Sequence, residues 1–148
     1  MRPISLFLFA SALFLGGCSS TPPPQAVPQP TFKPVGNVLQ IMEAVIIPSS
    51  NVIWNVPAEA PENDEEWATV RNNALSLAEA GNLLMIGERA KDQDAWIRAC
   101  QALVDAGTAA FRAAEAKDVD AITMAGDTIY NACESCHMQY PPETIDGQ

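Results

Sequence analysis

The run Cys133-Glu134-Ser135-Cys136-His137 sets two thiols three residues apart and an imidazole directly after the second. On a helix, residues three apart share a face. Two thiols at this spacing can therefore add across the two vinyl groups of one porphyrin, while the adjacent histidine supplies an axial nitrogen to its iron. Two other chemistries use parts of the same set. A Cys-x-x-Cys pair can cycle between dithiol and disulfide, and Cys133, Cys136 and His137 joined by Cys100 would supply four zinc ligands. A redox pair of the first kind follows a strand, whereas helical periodicity precedes this one. Structural zinc takes its ligands in two spaced pairs, and here there is one pair. From the chain's own composition, chance would produce such a run in roughly 7 of 10,000 sequences. The expectation is covalent attachment of one haem c, with Cys133 and Cys136 carrying the ring and His137 as proximal iron ligand.

The other two cysteines have separate readings. Met1-Arg2-Pro3 opens with a positive charge, and Ile4 to Leu15 is an apolar run too short to span a bilayer comfortably. That is the pattern of a secretory signal peptide. Its end, Leu15-Gly16-Gly17-Cys18, looks like a bacterial lipoprotein signal, in which cleavage after residue 17 leaves Cys18 as the lipid-bearing first residue. Several acyl chains at ~0.8 kcal/mol per buried CH₂ hold such a protein on a membrane. The expected address is the periplasmic side of a bacterial membrane, the outer in preference to the inner. Cys100 is then left without a partner. It sits among Trp96, Ala99 and Leu103 at helical spacing and is expected as a buried free thiol, so no disulfide framework is implied.

From Ser19 to Pro34 the chain holds six of its twelve prolines. Such a segment cannot form a regular helix, and residues 18–34 read as a lipidated cysteine followed by a semi-rigid tether, reaching up to roughly 50 Å at ~3.1 Å per residue. One folded domain remains, residues 35–148, long enough for a single core.

Four apolar periodicities must position the motif in that domain. Val38, Met42, Val45 and Ile46 fall on one side of the first, which Pro48 interrupts; a turn or two through Val52 to Trp54 continues it beyond a kink. Residues 55–63, with Pro57 and Pro61, read as a loop. Asn63 followed by Glu66 is a capping-box pattern, and Trp67, Val70, Ala74, Leu77, Gly81 and Leu84 recur behind it, with Gly87 as a stop. A third helix opens near Asp92 and carries Trp96, Cys100, Leu103, Gly107, Ala110 and Ala114. The fourth opens at Asp118, carries Ile122, Gly126, Ile129, Cys133 and Cys136, and ends before Pro141-Pro142. No strand pattern competes, so the predicted fold is all-α: an antiparallel four-helix bundle whose core takes a flat apolar cofactor.

With these elements placed, the chain resembles the cytochrome c′ superfamily, four-helix bundles with a CxxCH near the end of the last helix. The resemblance covers roughly Val38 to Tyr140. It rests on Cys133, Cys136 and His137, on the aromatic Tyr140 three residues past the histidine, and on Leu39-Gln40-Ile41-Met42 in the first helix. Two features depart from it: Pro141 stands where family members often carry a basic residue, and soluble members lack a lipoprotein tether. The resemblance implies that the first-helix stretch supplies either a methionine ligand or a blocking apolar side chain over the distal face. His137 is the only histidine, so two histidines from one chain cannot hold the iron. Met1 leaves with the signal, Met138 adjoins the proximal ligand, and Met124 lies about 20 Å down the same helix. Met42 is the favoured distal ligand, with an open or apolar distal site, or Met85, as alternatives.

Eight Lys and Arg against eighteen Asp and Glu give a net charge of −10. A partner that reads the surface should present a basic docking face, and no Lys or Arg follows Lys117, so nucleic acid is not an expected ligand. No acid–base or nucleophilic constellation surrounds the single histidine, so the chain is not expected to be an enzyme. The expected function is a membrane-tethered periplasmic cytochrome in electron transfer. The alternative is a haem protein that binds nitric oxide or carbon monoxide at an open distal site. The redox partner and the choice between monomer and homodimer stay open.

Overall fold

The structure, a computed structural model, describes residues 31–142, which form helices and their connections with no strand among the described residues. The expected signal peptide at residues 1–17, the lipid-bearing Cys18 and the tether as far as Pro30 lie outside the described residues. No helix among the described residues is long and apolar enough to cross a membrane.

The first helical segment is composite: α1 (Val38–Ile41), a π-helical stretch (Met42–Ile46) and α2 (Ile47–Asn55). It starts with a reciprocal cap. Asn37 Oδ1 accepts from the Gln40 N–H at 2.9 Å, and Gln40 Oε1 accepts from the Asn37 N–H at 3.0 Å, satisfying two donors that a helix start would leave orphaned. Pro48 explains the middle. It has no N–H for the carbonyl four residues back, and its ring collides with that carbonyl in a regular α-helix. Widening to i→i+5 bonding relieves the collision, and the Ile47 N–H donates to the Met42 carbonyl. The expected interruption at Pro48 thus takes the form of a π-helical stretch just before the proline, and the helix runs on to Asn55.

Three helices of 21 residues each follow: α3 (Asp64–Leu84), α4 (Ala95–Glu115) and α5 (Val119–Gln139). Asn63 caps α3 by accepting from the N–H groups of Glu65 and Glu66 at 3.1 and 3.0 Å. The reciprocal half of the expected capping box is not made, because the Glu66 carboxylate turns to the Glu62 N–H and the Asn63 amide. α3 ends at Leu84, short of Gly87. The glycine instead takes φ +62° in a 3₁₀ turn (Gly87–Arg89), a left-handed conformation that side chains resist. α4 begins at Ala95 rather than at Asp92, yet Asp92 still caps it, accepting from the N–H groups of Asp94 and Trp96 at 2.8 and 3.0 Å. Asp118 caps α5 through the Ala121 N–H at 2.9 Å.

The apolar stripes face inward. Trp67, Val70, Ala74, Leu77, Gly81 and Leu84 are all buried on α3, as are Trp96, Cys100, Leu103, Gly107, Ala110 and Ala114 on α4 and Ile122, Gly126 and Ile129 on α5. A fully buried side chain of the larger kinds contributes about 1.5–3 kcal/mol. α3 packs on α4, α4 on α5, and α2 on both α3 and α5. Two tryptophans bridge elements through their indole N–H groups. Trp96 donates to the Leu84 carbonyl at 2.9 Å, and Trp54 to the Gly126 carbonyl at 3.0 Å. At Gly107 the α3 backbone comes so close that an added Cβ would sit 2.7 Å from Ala78 N.

Candidate functional site

One apolar cavity of about 600 Å³ opens between the composite first segment and the last turns of α5. Cys133, Cys136 and His137 line it from α5, Met42 and Ile46 from the π-helical stretch, and Cys100 from α4. The two thiols are half-buried and His137 is exposed. The imidazole therefore stands at the cavity's mouth, in the last turn of α5.

The thiols are not poised as nucleophiles. Burial pushes the Cys133 thiol up, and burial followed by the neighbouring Cys133 pushes Cys136 up. Burial, with a smaller contribution from Cys136, pushes Cys100 up to about 12. A dithiol redox pair needs its attacking sulfur lowered toward neutrality, the opposite of what this apolar wall does. Nor is the zinc set assembled: among the described residues no three His, Cys, Asp or Glu side chains come together as a metal-holding group. Cys100 is buried and free, as its helical neighbours imply.

The methionines separate clearly. Met42 is half-buried, packs against the core and lines the cavity. Met85, at the C-terminal cap of α3, packs against the core but is not part of the cavity wall, where its neighbour Leu84 stands instead. Met138 lines the cavity next to His137 and is 79% exposed, while Met124 is exposed and outside it.

Three features escape the reading of the sequence. Ser50 and Trp54 extend the cavity-lining row of Met42 and Ile46 at steps of four residues. That period is written in the chain, but the kink expected at Pro48 hides that both halves keep one face. Ser50 is 1% exposed, and its Oγ has no hydrogen-bond partner among the described residues. Behind the motif, the end of α5 is tied down: the Tyr140 N–H donates to the Cys136 carbonyl at 2.8 Å and the Tyr140 hydroxyl donates to Asp92 Oδ2. The Tyr140 ring meets Trp96 edge-on with centroids 5.0 Å apart. Tyr140 is thus a clasp between α5 and the start of α4.

No family model matches the chain, and no curated protein or solved structure matches it either.

Proposed function

We propose that the cavity holds one haem c, joined by thioether bonds to Cys133 and Cys136, and that the protein is an electron carrier tethered to the periplasmic side of a membrane through lipid on Cys18. In this reading His137 is the proximal iron ligand and Met42 the distal one, within an antiparallel four-helix bundle of the cytochrome c′ kind. The observation that carries it is the single cavity lined by both thiols and the only histidine from one element and by Met42 from another. The helix contacts suit the bundle: Lys117 at the end of α4 meets Asp64 at the start of α3 at 2.6 Å, and Trp96 at the start of α4 reaches Leu84 at the end of α3.

The residues fit the group. The walls are apolar as a porphyrin face requires, the donors are two thiols and one imidazole in the order that covalent attachment uses, and Ser50, whose buried hydroxyl has no partner among the described residues, lines the same space. Haem iron supplies a one-electron couple. The protein's part is to keep water off it with Ile46, Leu84 and Leu103, to hold His137 in a helix end fixed by Tyr140, and to offer the Met42 thioether, which favours the ferrous state. A net charge of −10 suits a redox partner with a basic face.

Ile46 supports the second reading. It is buried one turn beyond Met42 in the same wall, and an apolar side chain over the iron would leave the distal position open to nitric oxide or carbon monoxide.

The deciding experiment is a denaturing gel stained for haem. Thioether bonds survive denaturation, so the stain should stay with the wild-type chain and vanish from the Cys133→Ala/Cys136→Ala variant. A chain that carries no stain when made in a host that matures c-type cytochromes refutes the reading.

A further inference from the structure

We infer that Ser50 is a positioning residue for the haem, its hydroxyl donating a hydrogen bond to one of the ring's two carboxylates and holding that carboxylate inside the cavity. The inference rests on the haem reading above. Its starting point is a cost: a buried hydroxyl with no partner destabilises the protein, and native structures satisfy such groups. Ser50 lines the cavity from α2, and its Oγ is buried with no partner among the described residues. What fills the cavity must therefore bring the acceptor.

The chemistry of the ring says which acceptor. Haem carries its two carboxylates on the edge away from the vinyl carbons, so attachment to α5 at Cys133 and Cys136 leaves the carboxylate edge to walls built by other elements. Those walls are poor in donors. α3 contributes Leu84, and α4 contributes Ala99, Leu103 and the thiol of Cys100, a weak donor. In the first segment the Trp54 N–H is already committed to the Gly126 carbonyl. That leaves the Ser50 hydroxyl as the buried unspent donor among the described residues of these walls; the Tyr130 hydroxyl belongs to α5 itself, on a residue 55% exposed. Among the described residues no Lys or Arg lines the cavity, so a carboxylate held there depends on neutral donors, and Glu134, on the α5 side, repels it from there.

The test uses the holo-protein, with haem labelled with carbon-13 at its carboxylates, and compares infrared difference spectra between the ferric and ferrous states. One labelled carboxylate band should shift in Ser50→Ala and return toward its wild-type position in Ser50→Thr, which keeps a hydroxyl, while the haem stain and visible spectrum stay unchanged in both. The same band in the wild type should also shift on transfer to heavy water, a readout that needs no variant. Labelled bands that stay in place in Ser50→Ala and in heavy water overturn the inference. So does a Ser50→Ala variant that leaves those bands alone but moves the stretching frequency of carbon monoxide bound to the ferrous iron, because the hydroxyl then serves the distal ligand. A wild-type chain without haem stain overturns the underlying reading, and the gel shows this before any infrared spectrum is taken.

Discussion

Met42, in the π-helical stretch, and His137, in the last turn of α5, line the same cavity, from elements at opposite ends of the folded chain. Two ligands that sandwich a porphyrin must come from different walls, and among the described residues no other methionine away from the proximal turn reaches this space. The π-helical stretch matters to this relationship. It adds one residue per turn just where Pro48 forbids a regular α-helix, and so sets which side chains of the first segment face the cavity.

The distal ligand is decided by Met42→Ala. Wild-type ferric protein should be low-spin with the weak long-wavelength charge-transfer band of methionine-ligated haem, and the variant should lose that band. Carbon monoxide should bind the ferrous variant at least about tenfold more tightly than the wild type, a difference of about 1.4 kcal/mol or more, because the thioether no longer competes for the position. A wild-type protein that is already high-spin and takes carbon monoxide directly moves the assignment to the gas-binding reading, with Ile46 over the iron.

Most of the fold was legible because buried helices must repeat their apolar residues every three or four positions, and the α3, α4 and α5 stripes do so without a break. The place of Cys133, Cys136 and His137 near the end of the last helix was legible for a similar reason: it follows from local periodicity. What stayed hidden depends on distant partners or on competition between local rules. The Asp92–Tyr140 clasp joins residues that no period relates. Glu66 had two N–H groups within reach and took that of Glu62. Ser50 looks in sequence like any helical serine, and its burial becomes visible only once the first segment is seen to keep one face across Pro48, where a kink was expected.

Gly107 marks the closest approach of α4 to α3. An added Cβ would lie 2.7 Å from Ala78 N and 2.9 Å from Ala78 Cα, so the conflict is with backbone that cannot rotate away. Gly107→Ala gains about 1 kcal/mol of helix propensity, but overpacking a fixed contact costs about 1–3 kcal/mol. The variant should be less stable in urea unfolding by about 1–2 kcal/mol at the upper end of that cost. Because the clash is with main-chain atoms, adding Ala78→Gly should not restore the loss. Full rescue by that second change would show that the Ala78 side chain, not the backbone, sets the spacing.

Tyr140 ties the helix end that carries His137 to the start of α4, and the tie has a defined pH window. The hydrogen bond from the Tyr140 hydroxyl, then that from the Trp96 N–H, holds the Asp92 carboxyl below its ordinary 3.8. A lowered carboxylate contributes stability above its unfolded value, and this is lost as pH falls through the folded value, below about 4. The same bond to Asp92 raises the Tyr140 phenol from 10.0 to about 12. A raised phenol contributes stability below its unfolded value, and this is lost as pH rises from 10 toward 12. Tyr140→Phe should therefore unfold at a lower temperature than the wild type at pH 7, followed by circular dichroism. The gap should narrow below about pH 4 and again above pH 10, because in those ranges the wild type loses the same bond by titration. No gap at pH 7 would mean that the edge-on contact of the ring with Trp96, which Phe retains, holds the end of α5 in place of the hydroxyl.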